Sequence, residues 1–76
     1  MINAYILMVV ESGAEEKVEK ELRKDEAVKD INIVYGEYDI ILKIQVPEMQ
    51  DLQKFIIKKI RNIKEVERTS TMICLN

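Results

Sequence analysis

Residues 3–10, NAYILMVV, are apolar at every position after the first. In an extended chain Ala4, Ile6, Met8 and Val10 fall on one side, and Tyr5, Leu7 and Val9 on the other. A strand with one wet face alternates apolar and polar residues, so this one demands cover on both sides. A chain of 76 residues has little material with which to provide it.

Glu11-Ser12-Gly13 ends the strand. Ser12 followed by Glu15 matches a capping box, and the spacing predicts a helix over 13–25. Ala14, Val18 and Leu22 recur every four residues as one narrow apolar stripe. Residues 28–35 read as a second strand and 38–46 as a third, joined by a turn around Gly36. Pro47 closes the third strand and opens a second helix over 48–61. Its apolar face is Leu52, Phe55, Ile56 and Ile60, with Lys54, Lys58 and Arg61 outside. A last strand over 66–75 is rich in β-branched residues. Met8, Met49 and Met72 read as core filler, and Cys74 as an inert small core residue.

The order is β-α-β-β-α-β. Two strand–helix–strand units in one short chain predict an α+β, ferredoxin-like fold: a four-stranded antiparallel sheet with both helices on one face. The whole chain, 1–76, is expected to be a single domain. The helices cover one face only, yet the first strand is apolar on both. Ile40, Ile41, Leu42 and Ile44 make the third strand nearly so. An uncovered apolar patch the size of a sheet face is unusual on a monomer, and a domain this small is marginal alone. Dimerisation through the open sheet face is therefore expected.

Composition removes many activities. There is no histidine and one cysteine, so zinc sites built from histidine or paired cysteines and a serine–histidine–acid triad are excluded. No metal or cofactor is expected, and no enzyme. Cys74 cannot close an internal disulfide, which fits a reducing cytoplasm. The formal net charge is −2, which argues against gripping phosphate backbones. No apolar run approaches the roughly 18 residues of a membrane span. RNA-recognition domains share the topology but need exposed aromatics on their central strands, where this chain offers Ile and Leu.

Two segments stand out: Gly36-Glu37-Tyr38-Asp39 in the hairpin, and Val66-Glu67-Arg68-Thr69-Ser70-Thr71 at the start of the last strand. Together with the apolar run Ile40-Ile41-Leu42, they resemble the effector-binding (RAM) domain of the leucine-responsive regulatory protein and AsnC family of prokaryotic regulators. That family has Gly-x-Tyr/Phe-Asp in the hairpin and Val-x-x-Thr-x-Thr entering the last strand. The resemblance implies an oligomeric sensor of amino acids whose domains pair through the open sheet faces and assemble further, commonly into octameric rings. The effector would lie between neighbouring dimers, against Gly36, Glu37, Tyr38 and Asp39 and then Thr69, Ser70 and Thr71. The family's DNA-reading helix-turn-helix domain has no counterpart in these 76 residues, so direct DNA binding is not expected. The resemblance is to stand-alone effector domains, which bind amino acids themselves or join and modulate a full-length regulator.

The same residues suit a zwitterion on chemical grounds. A carboxylate needs N–H and O–H donors, available from the backbone at Gly36 and the hydroxyls of Thr69, Ser70 and Thr71. An ammonium needs an acceptor, Asp39 or Glu37. Tyr38 can serve as an apolar wall. Each has a simpler reading. Gly36 is a turn residue with positive φ, Asp39 pins the hairpin by accepting backbone hydrogen bonds, Tyr38 is packing, and Thr69 and Thr71 are strand formers. Glu67 and Arg68 read as exposed and solvated. The alternative to a sensor is a structural or interaction subunit of the same fold that binds no ligand.

Overall fold

In the computed structural model, which describes residues 1–76, the elements are β1 (Ile2–Val10), α1 (Glu15–Arg23), β2 (Val28–Ile33), β3 (Ile40–Val46), α2 (Met49–Phe55), the π-helical turn η1 (Ile56–Ile60) and β4 (Val66–Ile73). The strands form one antiparallel sheet in the order β2-β3-β1-β4. This is the ferredoxin-like βαββαβ arrangement that the order of apolar patterns predicts.

The core lies between the sheet and the helices. Ala4, Ile6, Met8 and Val10 of β1 meet Ile40, Leu42, Ile44 and Val46 of β3, all buried. Val18 and Leu22 of α1 close over them, with Leu52, Phe55 and Ile60 from the second helix. Of the apolar stripes predicted for the helices, Val18, Leu22, Leu52, Phe55 and Ile60 are buried, while Ala14 and Ile56 are half-buried at the margin of the core. On the other face Tyr5, Leu7 and Val9 of β1 stand beside Ile41 of β3 with nothing from this chain above them. Tyr5 is exposed, and the other three are half-buried only by their neighbours in the sheet.

Several local expectations need correction. Ser12 does not cap α1: Ala14 occupies the cap position and makes no side-chain bond there. The side-chain bond expected at that helix start occurs instead at α2, where the Asp51 carboxylate accepts the Glu48 N–H at 3.1 Å. The last turn of the second helix widens to π geometry, the Arg61 N–H reaching back to the Ile56 carbonyl. Of the three methionines expected inside, only Met8 is buried; Met49 and Met72 are exposed. Cys74 is half-buried outside the core, its N–H donating to the Asn3 carbonyl at 2.8 Å. Strand pairing ends sooner than the β-rich composition suggests, at Ile33 rather than Tyr35 and at Ile73 rather than Leu75. Tyr38 and Asp39 lie before β3 rather than in it.

Candidate functional site

Antiparallel order puts the end of β1, the end of β2, and the beginnings of β3 and β4 at one edge of the sheet. The register fixes this: Met8 pairs with Ile40, and Val10 with Val66. The two segments singled out in sequence, about thirty residues apart, therefore meet at the same end.

The hairpin is held there by its own backbone and by Asp39. Gly36 has φ +147°, a conformation that side-chain-bearing residues rarely adopt, so the turn requires glycine. The Val34 N–H donates to the Asp39 carbonyl at 2.8 Å, and the Asp39 N–H to the Met8 carbonyl at 2.8 Å. The Asp39 Oδ2 accepts the Val10 N–H at 3.0 Å. The hairpin-pinning reading of Asp39 is thus a visible contact, and its Oδ1 remains without a donor in the chain. Glu37 is exposed and makes no ion pair.

The register of β4 separates the three hydroxyl residues. Thr69 pairs with Met8 and Thr71 with Ile6, so both lie on the helix side of the sheet, at an edge the helices leave uncovered. Ser70 pairs with Leu7 and lies on the open side. One ligand cannot reach all three from a single face of one chain. Two cavities, of about 520 and 310 Å³, are lined by none of residues 36–39 or 69–71. The larger, about 520 Å³, opens at the opposite end of the sheet, between Ala27, Gln45, Pro47 and Phe55. Of the candidate residues Gly36, Glu37, Thr69 and Thr71 are exposed and Tyr38, Asp39 and Ser70 half-buried, flanked by the exposed Val34 and the fully exposed Tyr35.

Sequence reasoning missed Arg68. Its guanidinium lies over the Tyr38 ring, 5.4 Å from the centroid, and ties the start of β4 to the hairpin. The signal was an irregularity that composition does not reveal. Val9 pairs with Arg68 but Val10 with Val66, so Glu67 is an extra, bulged residue. Just before β4, the Lys17 ammonium donates to the Glu65 carboxylate at 2.6 Å. That hydrogen bond, with the attraction of opposite charges, raises the Lys17 pKa and lowers that of Glu65. No group of three or more carboxylates and thiols is placed to hold a metal ion. No helix is long and apolar enough to cross a membrane.

The family described as the Lrp/AsnC ligand binding domain matches residues 3–76. The chain belongs to this family. The Lrp/AsnC ligand-binding domain is 38% identical over 64 residues to an uncharacterized HTH-type transcriptional regulator of Pyrococcus furiosus, a match covering 83% of this chain and 43% of that protein. The domain thus spans less than half the length of that relative. The crystal structure of a hypothetical protein from Pyrococcus horikoshii superposes with a TM-score of 0.96 at 43% identity, covering all of this chain and 92% of that one. A Neisseria meningitidis transcriptional regulator, solved as a complex with L-Met, has the same fold (TM-score 0.89, 19% identity, 99% of this chain and 50% of that one). The relatives of this Lrp/AsnC domain are transcriptional regulators, not enzymes.

Proposed function

We propose that this Lrp/AsnC ligand-binding domain is a sensor of an amino acid, acting as a homo-oligomer in the cytoplasm. The observation that carries the reading is the family match over 3–76, which makes this chain the ligand-binding part of the regulator architecture. The related fold crystallised with L-Met supports an amino acid as the class of effector. The local chemistry agrees: an unused carboxylate oxygen at Asp39, exposed backbone at Gly36 and the Ser70 hydroxyl lie around one end of the sheet.

The open geometry of that end supports a site completed by another copy. Dimers form through the face bearing Tyr5, Leu7, Val9 and Ile41, and further association at the Val34–Tyr35 hairpin builds a ring, an octamer by family resemblance. Thr69 and Thr71 then face a different neighbour from Ser70, which reconciles their opposite orientations with membership of a shared site. The domain transmits its ligand state within its own assembly or to a full-length regulator of the family, and does not itself bind DNA.

Ligand-dependent thermal shift tests the reading. Binding to the native state alone adds RT ln(1 + [L]/Kd) to stability, about 2.7 kcal/mol at a hundredfold excess over Kd. At least one of the twenty L-amino acids at millimolar concentration is expected to raise Tm. A flat response to all twenty leaves the structural-subunit reading, which the engagement of Asp39 with the Val10 N–H already favours for that residue.

A further inference from the structure

The regular pairing of β4 with β1 runs from Ile73 opposite Ala4 to Arg68 opposite Val9, which places Arg68 on the open side of the sheet beside the hairpin. The ladder is interrupted just beyond it: Glu67 is bulged and Val66 pairs with Val10. Arg68 is therefore the last regularly paired residue of β4 where the strand and the hairpin meet.

The guanidinium delivered there is unspent. Lys17, Arg23, Lys24 and Lys59 are each paired with a carboxylate, whereas no carboxylate lies within 4.0 Å of Arg68. It lies over the Tyr38 ring, and its N–H groups make no hydrogen bond or ion pair within the chain; these are the donors that engage a carboxylate in a two-bond fork. The contact with the ring also restricts a long side chain, so less freedom is lost when a ligand arrives.

We propose that Arg68 is the carboxylate-binding residue of the site and restricts it to ligands with a free α-carboxylate. Tyr38 acts as the platform that holds the guanidinium, and Asp39 Oδ1 is available to the ammonium. This rests on the amino-acid reading above and deepens it: it replaces the hydroxyls as principal carboxylate donors with a cation that the β1–β4 register places there.

The test uses the whole chain as its natural oligomer. Calorimetric titration compares each L-amino acid that raises Tm with its α-carboxamide, and repeats the titration on Arg68→Gln and Arg68→Lys. Loss of a charge-assisted carboxylate contact weakens binding by about tenfold or more. That loss is expected for the carboxamide on the wild type and for the amino acid on Arg68→Gln, with a smaller loss for Arg68→Lys, which keeps the charge without the fork. Sedimentation checks that the variants keep the wild-type assembly. If Arg68→Gln fails to fold or assemble, Arg68→Lys decides in its place: a folded Arg68→Lys that binds the amino acid as tightly as the wild type overturns the assignment. Equal affinity for acid and carboxamide, or an undiminished affinity of a folded Arg68→Gln, overturns the assignment and leaves the amino-acid reading standing. A wild type that binds none of the twenty overturns both.

Discussion

The two faces of β1 are drawn from the same class of residue and meet different fates. Ala4, Ile6 and Met8 have no solvent exposure, sealed by Val18, Leu22, Leu52 and Phe55 from the helices. Tyr5, one position along, is 38% exposed, and Leu7 and Val9 have only sheet neighbours. Hydrophobicity alone does not distinguish them. The comparison teaches that this chain's helices seal one face and leave the other open, the face on which the proposed dimer forms. Charge sharpens the distinction: the helix-covered side of the central strands β1 and β3 carries none, whereas the open side carries Lys43 and, from the neighbouring β4, Arg68.

The largest effect expected belongs to the sealed face. Leu42 is 1% exposed in the centre of the core. Leu42→Ala removes buried methyl groups and leaves a cavity, costing about 2–5 kcal/mol. For a domain of this size, that is a large part of a total stability of order 0.1 kcal/mol per residue. Thermal unfolding monitored by circular dichroism should show Tm falling by about 10 °C or more. A change of a degree or two would show that this side is not where the stability resides.

Its neighbour Ile41 should behave differently. Ile41→Asp places a charge among Leu7, Val9 and Tyr5 without disturbing the helix-covered side. Sedimentation velocity at micromolar concentration is expected to find at least a dimer for the wild type and a monomer for the variant, with the far-ultraviolet spectrum retained. A monomeric wild type would break the comparison, because the open face would then be stable bare.

Asp39 sits between the two roles, and two substitutions separate them. Asp39→Ala leaves the Val10 N–H without its acceptor and should cost about 1 kcal/mol of stability, read from denaturant unfolding. Asp39→Asn retains an oxygen for that N–H while removing the charge. It should preserve stability and lose the amino-acid thermal shift if the free oxygen binds the ammonium. An Asn variant that responds like the wild type would confine Asp39 to the hairpin.

How much of this was legible in the sequence follows from what each feature depends on. Element order, the buried stripes and the surplus of apolar surface on β1 depend on periodicity, and periodicity is local. The meeting of Gly36–Asp39 with the start of β4 followed from antiparallel order and two motifs. What escaped depends on a single residue of register. Counting inward from Val66 puts Arg68 toward the helices, whereas the pairing of Thr69–Ile73 with β1 puts it on the open side, over Tyr38, and the bulge at Glu67 reconciles the two. The pattern Val-Glu-Arg-Thr-Ser-Thr is compatible with either, since no residue in it is buried deeply enough to choose a face. Ser12 misled for a related reason. A capping box is a local preference, and here the chain leaves β1 through a turn that starts the helix two residues later, at Ala14.

The smallest effect expected is the pH response of the clasp beneath β4. Glu65 accepts the Lys17 ammonium through its side chain, while its backbone carbonyl accepts the Glu11 N–H at 2.8 Å. Glu65 titrates below the ordinary glutamate value because of that hydrogen bond and the opposite charge. Its contribution is therefore complete above the ordinary carboxylate range and is lost as pH falls through its own lowered value. Lys17 titrates above the ordinary lysine value for the same cause, so its contribution is complete below that range and is lost as pH rises through the raised value. Between those limits the pair adds a constant increment, a modest one because the lysine is largely in water. Glu65→Gln keeps the backbone bond and deletes the charge. The Tm difference between wild type and variant should be steady from mildly acid to mildly alkaline pH, and should close as the solution is acidified. It should also shrink in high salt, which screens the exposed partner. A difference that persists unchanged into strong acid would assign the effect of the substitution to packing around Glu65, and the clasp would then belong with the sealed face rather than with the charged surface beside it.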